Sequence, residues 1–469
     1  MKKLILFVTI LLAKGCTLAP EFTVPEPHTL ELSDGLTVHA DEYDDMLEED
    51  ISWWTHYHDP VLANLLDIAH RQNISLKQAV LSIEQNRLAR KAISSKKVPF
   101  INAGALASRQ KASTLLEGLS PPPGAPNQQN VFNLGLNLTW ELDVFGRVKG
   151  QENALDFEIE ASQMAYRDLM VSLFAEVGIT YTRLKRNIYQ RSIMMEVLFH
   201  QAYSVELNEL LAQQQLVDET HVLKMRSLLE ANFMQLAMLE NEHHQLLAGL
   251  ANLLSTTPKH VETLIQDIEN SNWELPDVPI GIPSTTLQNR ADVKQAMYRL
   301  KASNERIGVQ IANKYPAFSI TGAIGQQSAD ISDLFESASQ AWSLGSVLSW
   351  PIFDGGIRAL NVQLAQSQFS IAELEYERVY INAVSEVEAA LSAYVFSKKE
   401  LQAKQNITDM QNVMTGYQQQ MYEQGLVSKI ALIESEQTAR REKMLLLLNK
   451  ESVAISQIEV YRAFGGAWL

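Results

Sequence analysis

Two segments of the chain alternate between apolar and polar or small residues. In the first, Phe132, Leu134, Leu136, Leu138, Trp140 and Leu142 interleave with Asn133, Gly135, Asn137, Thr139 and Glu141. In the second, Trp342, Leu344, Leu348, Trp350 and Ile352 alternate with smaller residues. A period of two puts one set on each face of a strand. About ten residues of apolar-out, polar-in alternation bounded by tryptophans suit a tilted membrane-spanning strand with an interfacial girdle. A soluble, half-buried strand carries the same alternation, so the pattern alone leaves both open. With their partners, the strands are predicted at about 100–108, 131–143, 317–326 and 341–353.

Glycine then marks a sharp exit from each segment, Gly146 in the first and Gly355-Gly356 in the second. Beyond these, proline-free helical composition runs from Val148 to about Gln214 and from Arg358 to about Gln424. At 1.5 Å per residue, roughly 65 residues make a helix on the order of 100 Å. No globular core buries such a helix, which implies a coiled-coil-like bundle or a tube. Return helices are predicted from Asp218 to Leu254 and from Ser428 to Phe464, completing hairpins over 148–254 and 358–464. Earlier helical patterning covers Pro60 to Lys97.

These elements belong to an internal repeat. Lys77-Gln78-Ala79 recurs as Lys294-Gln295-Ala296, and Pro99 recurs as Pro316 at the same spacing. A shorter constant spacing then relates Trp140 to Trp350, Tyr166 to Tyr376, Glu176-Val177 to Glu386-Val387 and Leu216-Val217 to Leu426-Val427. The spacing changes where the first copy carries Ser120-Pro-Pro-Pro-Gly-Ala-Pro126, a longer loop. Each copy is ordered helix, strand, loop, strand, long helix, return helix. Two copies supply four strands, and a lipid-facing sheet must close on itself. Four strands cannot close a barrel, so the chain must oligomerise. Three protomers would make a twelve-stranded barrel with room for an aqueous lumen.

The N-terminus adds an export signal. Lys2 and Lys3 precede the apolar run Leu4–Ala13 and then Gly15-Cys16, which fits a cleaved secretory signal over 1–15. The run is too short for a transmembrane helix, which takes about 20 residues. Cys16 is the only cysteine, which rules out an intrachain disulfide. It stands where a bacterial lipoprotein signal is cut to leave an acylated N-terminus; an ordinary signal with an incidental cysteine is the alternative. An acidic, proline-containing stretch follows, giving an extended acylated arm over 16–57. The first repeat then spans 58–270 and the second 271–469.

Composition narrows the function. A content of 46% hydrophobic and 20% charged residues excludes a disordered chain. A formal net charge of −16 argues against nucleic-acid binding. The sequence has no nucleophile elbow, phosphate loop or zinc-protease motif, and no catalytic residue, cofactor or metal site is expected. His243 and His244 are adjacent on a predicted helix and point apart. His56 and His58 have no clear third ligand.

Several motifs resemble the TolC-like outer-membrane factor family, in particular its lipoprotein branch serving resistance-nodulation-division efflux pumps. They are Gly15-Cys16-Thr-Leu-Ala-Pro20, Trp53-Trp54 with Asp59-Pro60, Trp140-Glu-Leu-Asp-Val-Phe-Gly-Arg147, Trp350-Pro-Ile-Phe-Asp-Gly-Gly356 and Tyr422-Glu-Gln-Gly-Leu-Val-Ser428. The resemblance covers nearly the whole mature chain. It implies a mainly helical fold with a membrane β part: a long periplasmic α-barrel, and four strands given to a homotrimeric twelve-stranded outer-membrane barrel. It also implies outer-membrane lipid around the barrel, an inner-membrane pump that supplies energy and a periplasmic adaptor (membrane fusion) protein.

The resemblance places periplasmic hairpin tips at Gln215 and Gly425; the family usually has glycine at both. It assigns acidic gate residues to the second hairpin, where Glu434 matches one and Ala431 replaces the other. Asp218, Glu219 and Ser428 are further gate candidates beside the tips. The expected function is a passive exit duct for drugs, detergents or metal ions. A type I protein-secretion duct and a structural periplasmic coiled-coil tether are the alternatives.

Overall fold

The computed structural model describes residues 18–25, 53–111, 128–268, 273, 275–276 and 284–466. The expected signal, Cys16 and the proline-rich loop of the first copy lie outside the described residues. In chain order the elements are α1 (Pro60–Gln72), α2 (Ile74–Ser94), β1 (Phe100–Lys111), β2 (Gln128–Leu142) and α3 (Arg147–Gln213). The return helix α4 (Glu219–Leu253) and the short α5 (Pro258–Leu264) follow. The second copy runs α6 (Ser284–Asn289), α7 (Ala291–Ala312), β3 (Ala317–Ser328), β4 (Gln340–Ser349), α8 (Ile357–Glu423) and α9 (Lys429–Ala463). The fold is mainly helical with one antiparallel sheet. Both long helices, α3 and α8, have 67 residues, and both return helices have 35.

The chain divides into two compact units, and each copy contributes to both. The sheet unit comprises Ser82–Gln163, Gln295–Tyr376 and the described N-terminal residues; the helical unit holds the remainder.

In the sheet unit the strands lie in the order β1-β2-β3-β4, every pair antiparallel. Directly opposed residues share a face, so the register sorts the side chains. Ile101 opposes Leu138, Leu136 opposes Ile324, Ile324 opposes Trp342, and Phe318 opposes Leu142 and Leu348. The other face pairs Asn102 with Asn137, Thr139 with Thr321, and Ala323 with both Asn137 and Ser343. One face is apolar and the other polar or small. The outer edges of β1 and β4 have no strand partner within the sheet. β4 stops at Ser349, short of the expected 353, because Pro351 cannot donate to a ladder.

In the helical unit, residues 53–57, expected as the end of an extended arm, form a 3₁₀ turn. Trp53 packs edge-on against Trp54 and Tyr57 and tilts over Tyr461. Asp59 starts α1: its Oδ1 accepts from the amides of Val61 (3.1 Å) and Leu62 (3.3 Å), with Pro60 at the first position. The helix expected from Pro60 to Lys97 breaks at Asn73. The Asn73 side chain accepts from Leu76 N (3.0 Å) and donates to Leu253 O (2.8 Å), capping α2 from outside the helix. Leu62, Leu65, Leu66, Leu184, Leu250, Leu254 and Ile458 are all buried in this unit. A further cluster holds Ile193, Met194, Leu198, Leu239 and Met444.

Candidate functional site

The sequence motifs fall at the strand-to-helix junctions and at the hairpin tips. At the first junction Gly146 turns the chain at φ 69°. Asp143 then accepts from Val148 N (2.9 Å) and Lys149 N (2.7 Å), satisfying amides that α3 leaves free. Arg147 reaches back to both oxygens of Glu141, each at 2.8 Å. At the second junction Gly355 and Gly356 take φ 66° and 88°, and Asp354 accepts from Gly356 N (2.9 Å). The tryptophans, expected in an interfacial girdle, also close each copy. Trp140 Nε1 donates to Lys97 O (2.8 Å) and Trp350 Nε1 to Lys314 O (3.2 Å). Each indole thus ties a strand end to the chain just before Pro99 or Pro316.

The two tips share one backbone. At the first, Gln215 N donates to Ala212 O and Leu216 N to Leu211 O, both 2.9 Å. At the second, Gly425 N donates to Tyr422 O (2.9 Å) and Leu426 N to Met421 O (2.8 Å). Both are Schellman closures that need a left-handed residue. Gly425 takes φ 71° without penalty, whereas Gln215 takes φ 60° with a side chain.

The gate candidates fall around these tips. Asp218 caps α4 through His221 N (2.8 Å), and Ser428 caps α9 through Ala431 N (3.2 Å). The Thr220 hydroxyl and the His221 amide hold the Asp218 carboxyl below the usual carboxylate range. Glu219 is exposed in the first turn of α4, and Glu434 is exposed on α9. No hydrogen bond or ion pair joins Glu434 to Asp218 or Glu219 among the described residues.

The motifs did not disclose the polar ties that hold the hairpins. Asp59 and Lys185 form a buried pair at 3.0 Å, and Tyr181 donates to the same Asp59 oxygen at 2.8 Å. Burial pulls the Lys185 amine below its ordinary value, against the opposing pull of Asp59. Arg186 binds Glu242 (2.6 Å), Glu451 (2.5 Å) and Gln190 (2.9 Å), joining α3 to α4 and α9. Nearer the tips, Arg440 donates to His200 (2.8 Å) and lies 3.4 Å from Glu196 and 3.5 Å from Glu436. Burial and Arg440 together push His200 below its usual value. Gln437 donates to Gln201 (2.7 Å), which donates to Met225 O (3.0 Å). Only the N-cap pattern of acid or serine before a helix gave a local signal for any of these groups. Among the described residues no cluster of three or more His, Cys, Asp or Glu can hold a metal. No described helix is long and apolar enough to cross a membrane.

An open sheet with one apolar and one polar face, in a chain that also builds two very long helical hairpins, has the make-up of an outer-membrane channel component. The chain belongs to the outer membrane efflux protein family, whose model matches residues 65–256 and 282–466, one block in each copy. It is 27% identical over 412 residues to the solvent efflux pump outer membrane protein SrpC of Pseudomonas putida, covering 88% of this chain and 86% of that one. It is 27% identical over 475 residues to the cation efflux system protein CusC of Escherichia coli, covering 99% of both. Among solved structures it resembles the Campylobacter jejuni CmeC outer membrane channel, with a TM-score of 0.84 and 25% identity over 96% of this chain and 95% of that one. The family is one of efflux ducts, not a class of enzyme.

Proposed function

We propose that three copies of this chain form the outer-membrane exit duct of a tripartite efflux system, anchored in part by an acylated Cys16. The observation that carries this is the sheet: four strands, two unlike faces and two unpaired edges. Edges left open in lipid cost several kcal/mol per unsatisfied backbone group, and pairing β1 of one copy with β4 of the next removes them. The polar face, with Asn102, Asn137, Thr139, Thr321 and Ser343, then lines a wet lumen. An inner-membrane pump supplies the energy, and a periplasmic adaptor links it to the tips. The exported class is small molecules; the relatives named for solvents and for cations support this breadth.

Asp218, Glu219 and Glu434 form the acidic mouth of the closed duct, where rings of like carboxylates favour cations. The test is conductance in planar bilayers of the heat-modifiable trimer extracted from outer membranes. Parent protein should give small cation-selective steps. The combined Asp218→Asn, Glu219→Gln and Glu434→Gln variant should raise conductance or weaken selectivity. A purified chain that stays monomeric and makes no channels would overturn the duct; unchanged steps in the variant would overturn the acidic mouth alone.

A further inference from the structure

The parts of α2, α3, α7 and α8 that belong to the sheet unit line a cleft of about 480 Å³, a size usual for small-molecule sites. Ile93, Leu155 and Val309 give it an apolar wall, and the carboxamides of Gln151, Gln310 and Asn361 stand among them. Arg306 is the only charged residue of the lining, and Glu158 pairs with it at 2.7 Å. The cleft therefore offers apolar surface and hydrogen-bonding groups but little net charge. One of those groups is left over. Gln151 Oε1 is buried and accepts no hydrogen bond among the described residues. Buried polar atoms nearly always have a partner, and a donor held in the cleft supplies one.

The repeat fixes the side of the helices on which the cleft lies. Ile93 and Gln310 are equivalent positions, as are Gln151 and Asn361, and Leu155 and Ala365. All six line the one cleft. Two copies of a unit turn equivalent residues toward a shared space only on the concave side of the wall they build. On α7 the opposite side is occupied: Asn304 donates to Pro20 O at 2.9 Å, and Gly308 lies against Ala19. With 3.6 residues per turn, Asn304 and Gly308 point away from Arg306 and Gln310. In the duct proposed above, the concave side is the lumen.

We propose that this cleft is a holding site in the duct wall for an uncharged small molecule with an apolar body and a hydrogen-bond donor, such as an aromatic amide or alcohol. Gln151 accepts from the donor, and Ile93, Leu155 and Val309 cover the apolar body. The placing of the site in the lumen rests on the duct reading; the cleft and its lining do not. Acidic tips favour cations and give an uncharged molecule no comparable attraction. An apolar wall with one unused acceptor acts on the class of molecule that the tips leave alone. Passage requires that such a site also let go, and a cleft with one orphan acceptor binds loosely enough for release.

The test is equilibrium dialysis of the full chain, extracted in detergent, against radiolabelled chloramphenicol, an uncharged nitroaromatic amide with two hydroxyl groups. Matched protein-free micelles correct for partition into detergent. Binding should saturate near one molecule per chain, and an excess of sucrose, uncharged but without an apolar body, should not displace it. Ile93→Trp, which fills the cleft from a half-buried position, should abolish binding. Gln151→Leu should weaken it about fivefold, the worth of one hydrogen bond, and covers the case in which Ile93→Trp fails to fold by circular dichroism. No saturable binding to the folded parent, or binding unchanged in both variants, would overturn the site. The dialysis needs no open channel and is independent of the conductance test. Saturable, variant-sensitive binding by a chain that makes no channels keeps the cleft and removes the duct; channels without such binding keep the duct and remove the cleft.

Discussion

The two long helices have the same length and come from the same repeated unit, yet at several equivalent positions one covers its residue and the other exposes it. At positions related by the repeat, α3 has Gly150, Ala154 and Ala161 where α8 has Leu360, Leu364 and Ile371. The small set is buried: Ala154 is 4% and Ala161 2% exposed, and a Cβ on Gly150 would lie 3.0 Å from Val309 of α7. The large set is 61%, 59% and 66% exposed. The contrast continues further along. Lys185 and Arg186 are buried on α3, whereas their counterparts on α8 are Val395 and the exposed Phe396. Over this first stretch, therefore, α3 covers its inner positions within the chain, whereas α8 leaves an apolar stripe exposed. The proposed trimer covers that stripe with a further copy.

The largest expected effect tests the stripe directly. Burying a leucine or isoleucine side chain is worth about 1.5–3 kcal/mol. Replacing Leu360, Leu364 and Ile371 together by serine should therefore abolish trimer while leaving the helical circular dichroism of the monomer intact. Light scattering of the detergent-extracted protein reads the first and far-ultraviolet dichroism the second. The mirror change on α3, Ala161→Leu, overpacks a filled site at a cost of about 1–3 kcal/mol and should lower the melting temperature of the chain itself. A triple variant that remains trimeric would mean the two helices do not divide the work in this way.

A smaller effect separates the helices at the next level. Lys185→Ala leaves Asp59 buried without its counter-ion, and breaking such a pair costs about 3–5 kcal/mol. Val395→Ala, at the equivalent place on α8, should cost about 1 kcal/mol. Thermal unfolding of the two variants side by side gives the difference. Equal losses would show that Lys185 is held no more tightly than its half-buried counterpart.

The architecture was readable in the sequence because its signals are local. Period-two alternation located β2 and β4, and unbroken proline-free runs after Gly146 and Gly356 located α3 and α8. The constant spacing of the repeat supplied their order. What stayed hidden depends on partners distant in the chain. Asn73 breaks a continuous helical pattern because Leu253 O meets its side chain, and Trp140 finds Lys97 O only once β2 has folded back. Asp59 and Lys185 pair across two elements. Both long helices carry apolar residues at regular intervals, so the pattern alone could not say which stripe is covered within the chain. Asp218 and Ser428 stood just before strong helical patterns, which marked them as helix caps. The polar ties nearer the tips, through Arg440, His200 and Gln201, follow only from packing α9 on α3.

The smallest effect concerns the two tips, which share a closure but not a residue. A side chain in the left-handed region costs roughly 1–2 kcal/mol, a penalty that glycine escapes. Gln215 bears it at φ 60° and Gly425 does not at φ 71°. The Leu216 amide bond to Leu211 O and the Leu426 bond to Met421 O close the two turns, so exchange of these amides reports each tip on its own. Gln215→Gly should slow exchange at Leu216, and Gly425→Ala should speed it at Leu426. Each change is about 1 kcal/mol, roughly fivefold in the local opening equilibrium. If Gln215 instead makes contacts in the assembled duct that offset its strain, Gln215→Gly will leave Leu216 unchanged in the trimer and slow it only in the monomer. The first tip would then be strained for assembly, and the two copies would differ in purpose there as they do along α3 and α8.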